Sequence, residues 1–365
     1  SILDQVLSSQ KMSAISQFDP ESMASKIFSS LSDREREILT KRHGLDGKDR
    51  LTLEEIGKRY SVTRERIRQV ENATLNRIRE QFKETLLKDA EYLIQNILED
   101  HGDLMSENRL VQQMLATDTT VDTSSALIRF LLNQLLHDRI QQVREDQQVY
   151  KAWSTSNLSW ESYHDIIAKM IAIIEKSGEP MRLDDLLEQS REVVKLEKES
   201  DEHFEQILLN YLDVTKKIEE NKFNEWGLSH WNSIRPRRMN DKIYMILKKE
   251  AKPLHFVEIA QRINDAQFDK RIAYPATIHN ELILDDKYVL VGRGIYALKE
   301  WGYKPGVVLD VIKSVLKESN KPLSRDQIVE QVLKNRMVKR STVILALMNK
   351  KNFTKTSDGL YTLAA

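Results

Sequence analysis

Four times along this 365-residue chain an aromatic tail closes a helix-patterned stretch, and no other feature limits the possible folds as much. The tails are Val149-Tyr150-Lys151-Ala152-Trp153, then Glu225-Trp226-Gly227-Leu228 running to Trp231, then Gly294-Ile295-Tyr296-Ala297-Leu298 running to Trp301, and finally Gly359-Leu360-Tyr361-Thr362-Leu363. They recur roughly every 65–75 residues, the spacing of a string of small units rather than of one large core. Each of the last three repeats also has a Pro about one third of the way along: Pro180-Met181, Pro253-Leu254 and Pro322-Leu323. Proline lacks the amide of an interior helical residue and favours an extended neighbour, so a new helix starts beyond it. Amphipathic stretches follow at Leu183–Glu188, Phe256–Ile263 and Ser324–Leu333. The first copy, about 88–156, has Asp103-Leu104-Met105 at the equivalent place.

Helix, short extended element, helix, helix and a two-stranded hairpin is the order of a winged helix. The competing reading is a set of unrelated helical hairpins with chance aromatics. With only 11 Gly and 7 Pro, the chain is expected to be mainly α. Its expected parts are a polar tether over 1–30, a helix-turn-helix over 31–85, and four tandem winged helices over 88–156, 160–231, 236–301 and 304–365. Within the tether, Asp19-Pro20-Glu21 ahead of Ile27 and Phe28 can open one short helix.

Composition narrows the chemistry. The chain has no Cys, which excludes disulfides, zinc fingers, iron–sulfur clusters and a thiol nucleophile. No phosphate-cradling glycine loop, H-E-x-x-H, G-x-S-x-G or calcium loop occurs, and the eight His residues are scattered. A non-enzyme without cofactor or metal is expected. With 31% charged residues and no run of about 18 apolar ones, a cytoplasmic, nucleoid-associated protein is expected and not a membrane one. The 56 basic and 56 acidic residues cancel overall but not locally. Lys58–Arg79 holds seven basic residues against two acidic, Met181–Glu225 seven against thirteen, and Gly302–Ala365 twelve against five. Two modules that meet a polyanion and one that does not would show this alternation.

The sharpest motif is LEEIGKRYSVTRERIRQVEN, residues 53–72. Ile56 and Tyr60 line one helix, Val62 plugs a turn, and Ile67 and Val70 line the next, while Gly57 lets the two helices approach. Capping boxes at Ser32-Asp33-Arg34-Glu35 and Thr52-Leu53-Glu54-Glu55 mark helix starts, and Thr63 is a good N-cap for the helix that follows. With Ile67 and Val70 inward, Arg64, Glu65, Arg68, Gln69 and Asn72 occupy the opposite face, the one a recognition helix lays into the DNA major groove. Arg suits guanine, Gln suits adenine and Glu suits cytosine. Arg77 and Arg79, farther along, are expected to hold DNA backbone regardless of sequence.

The stretch from Leu31 to about Glu80, LSDREREILTKRHGLDG followed by LTLEEIGKRYSVTRERIRQVE, closely resembles region four of sigma-70-type bacterial sigma factors. That resemblance implies a domain that reads a promoter element, with Arg64, Glu65 and Gln69 on base-reading positions and Arg68 contacting base or backbone. It also implies RNA polymerase core as a further partner. Ser61 departs from it, standing at a turn position where Gly or Asp is usual. A larger departure is that the region with which sigma factors melt DNA has no counterpart upstream of Leu31.

Residues from about Met239 to Trp301, with KPLHFVEIAQRI, PATIHNEL and YVLVGRGIYALKEW, resemble the winged-helix module called HARE-HTH. Gly292-Arg293-Gly294 would turn its wing, with Arg293 at the tip to meet the minor groove or phosphate. Its third helix would start at Tyr274-Pro275-Ala276-Thr277 and turn His279 and Asn280 outward. In the last repeat, Lys339 and Arg340 precede a helix start and are expected to contact phosphate, as are the hairpin residues Lys350, Lys351 and Lys355.

Two functions fit. In the first the chain is a sequence-specific transcription factor on double-stranded DNA, its winged helices adding backbone contacts. The alternative is an accessory RNA polymerase-binding scaffold whose winged helices bind protein. The oligomeric state is not legible.

Overall fold

In a computed structural model, residues 18–115, 121–136, 140–196, 201–303 and 306–364 are described. The chain is mainly helical, with small antiparallel sheets. It divides into two compact units. One comprises the residues up to Ser177 with Asp184–Glu219, the other Gly178–Leu183 with Glu220 onward.

In the first unit, α1 (Pro20–Ser29) starts where Asp19 caps the amides of Glu21 and Ser22. Residues 20–29, expected within a polar tether, are thus a packed helix: Met23 and Ile27 are buried in the core. Residues 1–17 of that tether lie outside the described residues. α2 (Asp33–His43) and α3 (Leu53–Arg59) both begin at complete capping boxes, on Ser32 with Glu35 and on Thr52 with Glu55. α4 (Arg64–Phe82) is capped by the Thr63 hydroxyl, which accepts from the Arg66 amide at 3.2 Å. Ile38, Ile56 and Ile67 form the small core between α2, α3 and α4, with Tyr60, Val62 and Val70 packed on it. These are the apolar positions that the spacing of the motif requires.

The turn between α3 and α4 depends on two backbone positions. Gly57 is buried, its carbonyl accepts from the Val62 amide at 2.9 Å to close the turn, and a Cβ built there would sit 2.7 Å from the Val62 carbonyl oxygen. Ser61 has φ +53°, the left-handed region in which a side chain costs about 1–2 kcal/mol. Ser61→Gly is therefore expected to stabilise the unit by about 1 kcal/mol, read as a rise in its thermal midpoint. No gain would mean that the Ser hydroxyl offsets the backbone cost.

α4 continues into a second, larger core. Its Leu75 and Ile78 pack with α1, with α5 (Leu86–Glu99), and with the elements that follow: β1 (Leu104–Ser106), α6 (Glu107–Met114), α7 (Val121–Phe130), a π-helical turn (Leu131–Leu135), β2 (Gln141–Val143) and β3 (Ala152–Ser154). The three strands pair antiparallel in the order β1-β3-β2. The tail residue Trp153 is wholly buried, and its indole donates to Glu107 at 3.2 Å. Arg129 and Lys151 neutralise that buried carboxylate at 2.9 and 2.8 Å.

The order helix, strand, helix, helix, hairpin recurs. It appears next as α8 (Trp160–Ser177), β4 (Met181–Arg182), α9 (Leu183–Val193), α10 (Asp201–Val214), β5 (Ile218–Glu220) and β6 (Glu225–Leu228), a segment that straddles the division between the two units. In the second unit it appears as α11 (Met239–Glu250), β7 (Leu254–His255), α12 (Phe256–Ala266), α13 (Pro275–Leu284), β8 (Tyr288–Gly292) and β9 (Ile295–Leu298), with sheet order β7-β9-β8. The last segment has α14 (Val308–Ser319), α15 (Arg325–Asn335), α16 (Arg340–Leu347), β10 (Phe353–Lys355) and β11 (Tyr361–Leu363). There the Pro-Leu element supplies a single bridge, Leu323 to Tyr361, in place of a first strand.

Within the second unit the last two segments are joined backbone to backbone. The Met337 amide donates to the Val291 carbonyl at 2.9 Å, and the buried Arg336 guanidinium donates to the Leu290 carbonyl. Gly292 permits this approach, since a Cβ there would meet the Met337 carbonyl oxygen at 2.8 Å.

Candidate nucleic-acid interface

The inner side of α4 is fully committed. Glu71 is buried and bonds His43 of α2 at 3.0 Å. Glu35 of α2 accepts from the Thr74 hydroxyl at 3.3 Å and forms an ion pair with Arg77 at 2.9 Å. Arg79 donates from Nε and Nη2 to the carbonyl of Gln134, at 2.9 and 2.7 Å, and from Nη1 to Asn76. Gln134 belongs to the π-helical turn, where wider hydrogen bonding leaves carbonyls for a side chain to satisfy. Arg77 and Arg79 were expected on DNA phosphate. Both hold α4 against its own unit, Arg77 through Glu35 and Arg79 through the Gln134 carbonyl, and the Arg77 side chain stays about half exposed, at 49%.

The Arg77 guanidinium holds the Glu35 carboxyl down, with the Ser32 cap assisting, at about 2 instead of the ordinary 4.5. A lowered carboxyl pKa stabilises the fold above pH 4.5, and the contribution drains away as pH falls from 4.5 toward 2. The shift corresponds to about 3 kcal/mol at most. Glu35→Gln should therefore lower stability at neutral pH and flatten its decline over that acid range, measured by denaturant midpoints at a series of pH values. Parallel declines for the two proteins would show that the Glu35–Arg77 clasp contributes nothing.

The outer side of α4 is the reverse. Arg64, Glu65, Arg68, Gln69 and Asn72 are all exposed, at the positions expected of a reading face, with the N-cap Thr63 at its edge. Glu65 and Arg68 grip each other through both carboxylate oxygens, at 2.7 and 2.9 Å. The Arg68 guanidinium keeps the Glu65 carboxyl below its ordinary range, so this face carries a formed ion pair at neutral pH. Arg66, not singled out by spacing, is exposed beside them and reaches the Gln69 side-chain oxygen at 3.4 Å. Its place between Glu65 and Ile67 was the available signal.

The other expected DNA residues lie in the second unit. Arg293 is exposed in the turn between β8 and β9, where Gly294 adopts φ +71°. Lys339 is exposed at the N-cap of α16, whereas Arg340 is paired with Asp326 of α15. His279 does not face outward as expected: it is half-buried in α13, its ring 4.7 Å from Phe256 and 5.9 Å from Tyr296, while Asn280 is exposed. A bulky ring beside the apolar Phe256 and Tyr296 packs there rather than staying in water.

Among the described residues there is no group of three or more side chains placed to hold a metal, and no helix is long and apolar enough to cross a membrane.

A capped helix locked on its inner side and bearing an exposed polar and cationic outer face, set after a tight glycine-dependent turn, completes a helix-turn-helix. A family model described as Sigma-70, region 4 matches residues 27–80, which include α2, α3 and the exposed row on α4. The chain is similar to RNA polymerase sigma factor SigA of Nostoc sp., 59% identical over 46 residues that make up 13% of this chain and 12% of that protein. It is also similar to SigA1 of Synechococcus elongatus, 58% identical over 45 residues, 12% of this chain and 11% of that one, and to SigA of Clostridium acetobutylicum, 54% over 46 residues, 13% and 12%. The chain thus spans only about one eighth of the length of the curated relatives it matches.

Proposed function

We propose that this chain is a sequence-specific transcription factor that reads promoter-like double-stranded DNA through the outer face of α4, with RNA polymerase core as a partner. The observation that carries the reading is the asymmetry of α4: every inward polar side chain is engaged, and five outward ones with base-reading chemistry are exposed in one row. The likeness of residues 27–80 to sigma region four supports the same role. In this reading the four recurring segments are winged helices, the third of the HARE-HTH kind, and Arg293 adds a groove or phosphate contact. The protein acts without catalysis, in the cytoplasm, on the nucleoid.

One observation favours giving the last two segments to protein rather than DNA. The third helix of a winged helix is its usual DNA reader, yet α13 contains no Lys or Arg, and its exposed residues include Ile283 and Leu284. Arg340 is tied to Asp326, and the exposed part of α16 beyond it carries Leu345. We therefore confine the DNA interface to α4 and Arg293 and leave Lys339 and Arg340 out of it.

Selection of bound duplexes from a random pool by the intact chain tests the proposal. A single enriched motif several base pairs long is expected. Retention without an enriched motif would leave only charge-driven binding and would remove the reading role.

A further inference from the structure

The third helices of the four segments differ in what covers them. In the first segment, Ile128 of α7 is buried in the core shared with α1 and α4. In the second, α10 lies on the first segment: Tyr211 donates to the Gly102 carbonyl at 3.1 Å, Asn210 to the His101 carbonyl at 2.9 Å, and Asp213 pairs with Arg109 at 2.6 Å. In this chain the third helix is thus a docking helix. The third helices of the last two segments, α13 and α16, have large apolar side chains in water.

On α13, Ile283 is 61% exposed and Leu284 83%. The helix carries Glu281 and runs straight into Asp285 and Asp286, with no Lys or Arg from Pro275 to Asp286. Beside Leu284 an open cleft of about 560 Å³ is lined by four carboxylates, Asp241, Glu281, Asp285 and Asp286, against two cations, Arg238 and Lys287, the latter paired with Asp285 at 3.2 Å, which leaves a net acidic border. On α16, Leu345 is 71% exposed, and Met348 at its C-cap 67%. Lys339 stands at its start, next to Arg340 with its partner Asp326, and Lys350 and Lys351 lie just beyond its end, with no acidic residue from Lys339 to Ser357. One face is apolar with an acidic border and the other apolar with a basic border, and each chain has one of each. Both remain uncovered in the same chain, so neither covers the other within it.

We propose that α13 of one copy docks on α16 of a second copy of this chain, the contact occurring twice about a two-fold axis. A two-fold axis supplies each face with its complement and leaves neither over, which closes the assembly at two chains. Burial of Ile283, Leu284, Leu345 and Met348 supplies the apolar centre, and the charged borders supply register and orientation. The bonds that the Arg336 guanidinium and the Met337 amide make to the β8 backbone hold the two faces at a fixed spacing, so both contacts form together. The proposal is independent of DNA reading.

Light scattering of the full chain over a concentration series tests it. A monomer–dimer equilibrium is expected, and Leu284→Asp and Leu345→Asp should each shift it to monomer, since both side chains lie in water and stand outside the cores. Asp286→Lys alone, or Lys350→Glu with Lys351→Glu, should each weaken the dimer about tenfold or more, and combining all three should restore much of it. That rescue requires the two borders to meet across the interface and is not reproduced by loss of folding. A monomer at every concentration, a dimer indifferent to both Asp variants, or absence of rescue would each overturn the proposal. So would a monomer that associates through Leu284 only when polymerase core is added, which would make polymerase the occupant.

Discussion

Replacing Gly57 by Ala is expected to disrupt the helix-turn-helix and abolish sequence-specific DNA binding. The new methyl carbon would lie 2.7 Å from the Val62 carbonyl oxygen and 3.4 Å from the Arg64 amide nitrogen, and both are backbone atoms that no rotamer change can move. Relief requires α3 and α4 to separate, which opens the core of Ile38, Ile56 and Ile67 and breaks the bond from the Val62 amide to the Gly57 carbonyl. Overpacking of this kind costs about 1–3 kcal/mol. Loss of part of that core adds to it, and the better helix propensity of Ala returns only about 1 kcal/mol. Lys58→Ala, at the adjacent exposed position, is the control and should leave the fold intact. Thermal unfolding and binding to the selected duplex measure both effects. Wild-type stability and affinity in Gly57→Ala would show that the turn relaxes freely and is not set by this contact.

Loss of base preference without loss of fold is expected when Glu65 or Gln69 is replaced by Ala. Both side chains are exposed and neither contributes to a core, so the unfolding midpoint should stay within the range of ordinary surface changes. Each contacted base should lose about 1–3 kcal/mol of discrimination, seen as one or two positions of the selected motif becoming degenerate. Glu65 carries a second consequence through its grip on Arg68. If the pair reads as a unit, Glu65→Ala and Arg68→Ala should be non-additive in a double-mutant cycle. Arg77→Ala should behave in the opposite way, losing stability through Glu35 while keeping the motif. A selected motif unchanged by Glu65→Ala would mean that α4 does not read bases.

The placement of the reading face was legible because helix geometry is local. Once Ile67 and Val70 are inward, a period of 3.6 residues sends Arg64, Glu65, Arg68, Gln69 and Asn72 outward, and Thr63 has the chemistry of a cap. Gly57 was legible for a similar reason, since its place beside a turn between two apolar faces leaves no room for a side chain. The recurring order of elements could be read from prolines and aromatic tails. The internal partners of Arg77 and Arg79, Glu35 and the Gln134 carbonyl, were not legible because they lie 42 and 55 residues away in the chain. A basic residue near a DNA-reading helix looks the same in sequence whether it meets phosphate or an internal carboxylate.

Residue order alone, then, determined what depends on neighbours within a turn or two: the caps, the helix-turn-helix, the outward row on α4 and the repeated order of helices and hairpins. Tertiary structure decided which of these surfaces are spent. It brought α1 into the core, laid α10 on the first segment, buried Glu107 between Arg129 and Lys151, and left α13 and α16 bare. The physical reason is that burial belongs to whatever lies across the contact, and a charge or an apolar stripe carries no mark of which distant element will cover it.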